Sequence, residues 1–313
     1  METQAATSEN LASSAVKAQY RVTNGPEYDR ALVQRGSLTV GFDEEFVRNH
    51  GRPERPGQRG APLKYSDMAI QGLLMLKVTF RLTYRALEGF SRSLRQRRSR
   101  EFEVPDPTHM ARRAKGLTGQ RPRQNRTEPR HIGVDSTGLK TYGEGEWKVR
   151  KHGASKRRRW IKLHWAVEVT TEAWHDGEVF GGLIEQIEGS IEQMDADGAY
   201  DTAACDEGAQ VAGATWVVPP RENAVPWEEG PPRTEALKQI EAKGREEGKK
   251  TGGYPRRSLA ENAMYRVKQW LGDRWASRLF QTQVVEAHAR GAVMNIMTYL
   301  GMPVSVRVGT TFA

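Results

Sequence analysis

The hydrophobic period changes once along this chain, and that change limits the folds open to it. Before about residue 118 apolar residues recur at helical spacing. SDMAIQGLLMLKVTF offers Ser66 as an N-cap and then Met68, Ile70, Leu73, Leu74, Leu76 and Val78. TYRALEGFSRSL, from Thr83, spaces Leu87, Phe90 and Leu94 in the same way, and PDPTHMARRAKGL starts after a proline and ends near Gly116. GLTGQRPRQNRTEPR has the glycine, proline and arginine content of a linker. Beyond it the pattern becomes one of strands. HIGVD is short and β-branched, and WIKLHWAVEV puts Ile161, Leu163, Trp165 and Val167 opposite Lys162 and His164, the alternation of one strand. GGLIEQIEGSIEQMDADGAYD reads as a helix running into a strand that ends near Asp197. ATWVVPPR is a short strand stopped by Pro219 and Pro220. Helices follow from about Pro255 to Leu271 and from Gln281 to Gly301. Strands first, then strands alternating with helices, specify an α/β domain with a mixed sheet.

Charge is concentrated rather than spread. Residues 91–130 carry twelve Arg or Lys against four acids, and WKVRKHGASKRRRWIK carries eight basic residues and no acid, while the whole chain nets +9. Two basic blocks on an otherwise acidic chain point to a polyanion, nucleic acid above all. The short third helix, with Arg112, Arg113 and Lys115, is compatible with a helix-turn-helix arrangement. The single cysteine excludes an intramolecular disulfide and a multi-cysteine zinc site. The polar N-terminal METQAATSENLASSAVKAQY lacks the apolar core of a signal peptide, and GLLMLKVTF is too short to span a bilayer. The expectation is a soluble protein of a reducing compartment with no membrane partner.

Three acids stand at the ends of elements. Asp135 closes HIGVD, Asp197 closes QMDAD, and Glu261 lies in the first turns of the 255–271 helix. Carboxylates gathered at adjacent strand ends and a nearby helix could hold two divalent cations, and hard oxygen donors suit Mg²⁺. Each acid also has a structural role open to it. Asp135 can start a turn before Ser-Thr-Gly, Asp197 precedes Gly198, and Glu261 follows Ser258 at capping-box spacing. Asp195 shares a strand face with Asp197, which is preferred because it opens DGAYD.

GGYPRRSLAENAMYRVK sets Tyr254, Arg257, Glu261 and Lys268 apart by three, four and seven residues. On an α-helical wheel Arg257, Glu261 and Lys268 fall in a narrow polar arc, with Leu259, Ala263 and Trp270 opposite. DSTGLK, GEGEWKVRKHG, DGAYD, PPREN, YPRRSLAENAMYR and TYLGMP together resemble the DDE transposases of bacterial insertion sequences, the IS-five group. The resemblance runs from about Tyr20 to Val308, and the Tyr254, Arg257, Glu261, Lys268 spacing fits that group's signature.

The resemblance implies a ribonuclease-H-like mixed sheet flanked by helices, with Asp135 on its first strand, Asp197 on its fourth and Glu261 on a following helix. These three would be catalytic residues and metal ligands for two Mg²⁺ per site, with Mn²⁺ a possible substitute. DNA would be held by Tyr254, Arg257 and Lys268, by Lys140, Lys148, Arg150, Lys151, Arg157 and Arg158, and by Arg112 and Arg113. The organisation expected is a disordered arm at 1–20, a helical DNA-binding region at 21–118, and an Arg-rich linker at 119–130. A catalytic domain at 131–308 follows, with an insertion at about 221–253. The partners implied are double-stranded DNA, as terminal inverted repeats and target, and a second copy of the chain on that DNA. The location implied is the bacterial cytoplasm, associated with the nucleoid. Only 29 residues run from Glu168 to Ala196, which leaves little room for a third strand. That shortening motivates one alternative, an inactive DNA-binding descendant; a second is a ribonuclease-H-like nuclease that cuts without joining.

Overall fold

The computed structural model describes residues 18–37, 64–98, 103–117, 130–142, 159–164, 168–171, 175–187, 189–221, 224–225, 237–238, 241–242, 244 and 258–310. By its internal contacts the chain divides into two compact units, one of residues 1–40 with 295–313 and one of residues 41–294.

In the smaller unit a strand, β1 (Ala18–Val22), leads into helix α1 (Gly25–Arg35). The strand pairs antiparallel with the C-terminal strand Ser305–Thr310, from Ala18 opposite Thr310 to Val22 opposite Ser305. Asn24 ties the two ends further, donating to the Met302 carbonyl (3.0 Å) and accepting from the Val304 amide (2.7 Å). Residues 18–20, assigned by composition to the arm, are therefore in a strand. Its partner is some 290 residues away, so no local pattern announces it.

The larger unit opens with three helices, α2 (Asp67–Thr79), α3 (Tyr84–Arg98) and α4 (Pro107–Gly116). Ser66 caps α2 by accepting from Ala69 (3.1 Å), and Asp106 caps α4 by accepting from Thr108 and His109 (2.9 Å each). Ala69, Leu73, Leu76, Leu87 and Met110 form their shared core. The sheet region follows with β2 (Arg130–Gly133), β3 (Ser136–Tyr142), β4 (Arg159–His164) and β5 (Glu168–Thr171). Helix α5 (Phe180–Ile184), β6 (Ile191–Asp195), α6 (Ala203–Val211) and β7 (Thr215–Val217) complete it.

One sheet has the order β2-β6-β7 and is parallel; the other, β3-β4-β5, is antiparallel. Only Val134 and Asp135 separate β2 from β3. The strand order in space is thus β5-β4-β3 in one sheet, with β2, which runs on into β3, beside β6-β7 in the other. This mixed arrangement is consistent with the ribonuclease-H-like sheet. Two expectations are corrected. The 160–169 segment is two antiparallel strands, with His164 opposite Glu168, because alternation continues across a reversal and does not reveal it. The edge strand does fit into the short 168–196 stretch, as the four residues of β5. The helix after it shrinks to α5 and the 3₁₀ turn Asp176–Val179 before it.

Helix α7 (Ser258–Arg266) follows, then a π-helical turn, Val267–Leu271. The long helix α8 (Phe280–Leu300) and β8, the C-terminal strand already described, end the fold. Ala260, Met264, Val267 and Leu271 are the buried side of α7 and its π turn. A buried ion pair, Arg290 with Glu286 (2.9 Å), anchors α8 to the segment before it. Glu286 accepts from the amides of Ala276 (3.1 Å) and Ser277 (2.8 Å), and Arg290 donates to the Gly272 carbonyl (2.8 Å). That segment in turn bonds β3, Lys140 N–H to Asp273 and Trp275 N–H to Lys140. Among the described residues no helix is long and apolar enough to cross a membrane.

Candidate active site

The last rung of the β2–β6 ladder pairs Gly133 with Asp195. Asp135 and Asp197 each stand two residues beyond that rung, at the C-terminal ends of neighbouring parallel strands, where ligands of open α/β sheets bind. The ladder is extended by the Val134 amide, which donates to the Asp195 carbonyl (2.7 Å). Asp197 lies past its strand, not on it. It caps the 3₁₀ turn Gly198–Tyr200, its Oδ1 accepting from Ala199 (2.9 Å). Asp135 Oδ1 accepts from the Ser136 amide (2.8 Å). Both aspartates are half-buried, whereas Asp195 is buried with its Oδ1 on Gln193 (2.7 Å).

Glu261 comes from α7. The helix approaches β2 closely: a Cβ built on Gly133 would lie 2.9 Å from the Ala260 Cβ. The residue before Glu261 thus rests on the strand that delivers Asp135. Glu261 itself is exposed. Among the described residues no group of three or more His, Cys, Asp or Glu side chains is gathered so as to hold an ion. The strand ends bring the two aspartates level, and α7 reaches the same strand without closing the trio.

Two residues that the sequence reading passed over complete the surroundings. Tyr200 is fully buried with its hydroxyl unpartnered. Burial raises its pKa, and the carboxylates of Asp176, Asp197 and Asp135 add to that rise. Asp176, on the turn before α5, accepts from Ser136 Oγ (2.8 Å) and Lys162 Nζ (2.9 Å). Burial pushes its carboxyl up, but those two donors and the positive charge of Lys162 outweigh it and leave the pKa lowered. Asp176 follows His175 inside WHDGEVF, a stretch weighed only for its length; nothing local marks it as a partner of Ser136.

The oxygen donors suit a hard divalent ion in kind. The buried, unpartnered Tyr200 hydroxyl among three acids shows polar capacity that the protein itself does not satisfy.

The basic residues fare unevenly. Lys268 is half-buried in the π turn, so an α-helical wheel does not carry its arc through to that position. Lys140 is 4% exposed and lies inside, on β3. Arg113 is paired with Asp67 and donates to the Tyr65 carbonyl (3.3 Å), which ties α4 to the start of α2; Arg112 is exposed. Tyr254, Arg257, Lys148, Arg150, Lys151, Arg157 and Arg158 lie outside the described residues. So does most of the 221–253 insertion.

Two family models match this sequence, each described as a transposase DDE domain, one over residues 33–144 and the other over residues 126–296.

Proposed function

The chain belongs to the DDE transposase family, and from that premise we propose that it cuts DNA at the inverted-repeat ends of an IS-five-group insertion sequence and transfers the released 3′-hydroxyl to target DNA. One observation carries the reading. Asp135 and Asp197 follow the same rung of two neighbouring parallel strands, and Glu261's helix abuts that rung through Ala260 and Gly133.

Transposases of this family typically work with divalent metal ions. When bound, a pair of such ions supplies Lewis acidity to the attacking and leaving oxygens of an in-line displacement. Asp135, Asp197 and Glu261 would hold Mg²⁺, or Mn²⁺ in its place. The Ser136 amide fixes one oxygen of Asp135, and the Ala199 amide fixes one oxygen of Asp197, so each carboxylate is oriented before substrate arrives. Glu261, exposed on the first turn of α7, would complete the set. Lys268, with Tyr254 and Arg257 from the segment before α7, would hold the phosphates on either side of the cut. Arg112 on α4 and the basic stretch 148–158 would add sequence-independent affinity, which falls with salt. Cutting two ends together calls for two copies of the chain on DNA.

The test is strand cleavage and joining with duplexes carrying the ends of the element, in Mg²⁺. Asp135→Ala and Asp197→Ala should retain DNA binding and lose both reactions. An Asp135→Ala protein that cuts as well as the parent would remove the assignment. Cleavage without joined product would instead mark a nuclease, and tight salt-sensitive binding without cleavage an inactive DNA-binding descendant.

A further inference from the structure

Asp176, near the aspartate pair, has both oxygens engaged by side-chain donors, Oδ2 by Ser136 Oγ at 2.8 Å and Oδ1 by Lys162 Nζ at 2.9 Å. One donor sits on each of its oxygens and one of the two is an ammonium, which makes this carboxylate a poorer ligand for a cation. Ser136 is the residue that follows Asp135, and it is held from three sides. Its backbone pairs with β4 opposite His164, its hydroxyl is on Asp176, and its amide donates to Asp135 Oδ1. A side-chain anchor on Ser136 is therefore an anchor on the amide that orients Asp135.

The Asp176 turn is footed on the other aspartate's segment. A Cβ at Gly177 would meet Cys205 Sγ and Thr202 Cγ2 at 3.4 Å, and Cys205 Sγ lies 3.5 Å from the Gly177 carbonyl. Phe180, just after the turn, packs edge-on to Tyr200 at 6.2 Å. One short turn thus braces the start of β3 against the Asp197–Cys205 stretch.

We propose that Asp176 is a positioning residue for Asp135, fixing through Ser136 the direction in which the Asp135 carboxylate meets the metal, and is not itself a ligand. This rests on the transposase reading above. Losing such a support costs about tenfold or more in metal affinity.

The experiment measures Mn²⁺ binding to the full chain by electron paramagnetic resonance without DNA, and cleavage rate against Mg²⁺ concentration. Asp176→Asn and Ser136→Ala should each weaken Mn²⁺ binding about tenfold and raise the half-saturating Mg²⁺ by a similar factor. The rate at saturating Mg²⁺ should largely recover, and DNA binding in chelator should not change. The double variant should be no worse than the weaker single, since both cut one connection. Glu178→Ala, which removes the turn's own bond to the His175 amide (2.9 Å), should lower stability without moving metal affinity. If Asp176→Asn unfolds, Ser136→Ala decides alone, because it removes a single hydroxyl. Parent-like Mn²⁺ affinity in both variants overturns the proposal. So does complete loss of binding in Asp176→Asn matching that of Asp135→Ala, which would make Asp176 a ligand. A parent that binds no Mn²⁺ brings down the transposase site and this inference together. A parent that binds and cuts beside variants that match it brings down the inference only.

Discussion

Replacing Gly133 by alanine probes the contact that places Glu261. The new Cβ would lie 2.9 Å from the Ala260 Cβ, about 0.6 Å inside the ~3.5 Å at which two carbons attract. Neither partner can escape by rotation, because a methyl on a strand faces a methyl on a helix. Helix α7 must therefore move off β2 by roughly that amount, and overpacking of this kind costs about 1–3 kcal/mol. A displacement of about 1 Å at a catalytic group can cost 100-fold in rate, so a shift near 0.6 Å should cost about tenfold in cleavage. The assay pairs urea denaturation with Mg²⁺-dependent cleavage for Gly133→Ala, Ala260→Gly and the double variant. Ala260→Gly alone should lose about 1 kcal/mol as a helix glycine. Together they should restore the cleavage rate, with a favourable coupling of about 1–2 kcal/mol in stability. A Gly133→Ala protein with parent stability and rate, or a double variant showing no coupling, would refute the packing argument.

Three other outcomes follow from the geometry. Arg290→Ala should destabilise the protein by about 3–5 kcal/mol in denaturant titration, because it strands the buried Glu286 carboxylate, and Arg290→Lys should recover little. Burial pushes His164 down to about 4 from 6.5, with Asp176 partly opposing and Lys162 reinforcing. The unfolded chain then binds the extra proton across that window, so stability should fall on acidification from pH 6.5 toward 4, by at most about 3 kcal/mol, and His164→Gln should flatten the profile. Arg112→Ala should weaken DNA binding and reduce its salt slope by about one at unchanged stability, while Arg113→Ala should lower the melting temperature, its guanidinium being tied to Asp67 and Tyr65.

The elements written in the sequence were those governed by local chemistry. Ser66 announces its helix because a cap is a short-range bond, and Asp135 and Asp197 stand out as acids closing β-branched or apolar runs. What stayed hidden depends on partners far along the chain. The β1–β8 pairing joins the two ends, the reversal between His164 and Glu168 leaves the alternation unbroken, and Asp176 finds Ser136 forty residues away. The polar arc of α7 fails at Lys268 because a π turn replaces the α repeat, and no residue type in VKQWL signals that change. Lys140 and Arg113 show the limit of counting charges, since one lies inside the fold and the other holds two helices together.

The most direct measurement is a crystal structure with Mn²⁺ and a DNA end, the metal located by its anomalous signal. The account predicts density between Asp135 and Asp197, with ligand oxygens at about 2.0–2.2 Å and Glu261 turned in to share it. Manganese bound elsewhere, or Glu261 left facing solvent with the aspartates holding no metal, would contradict it.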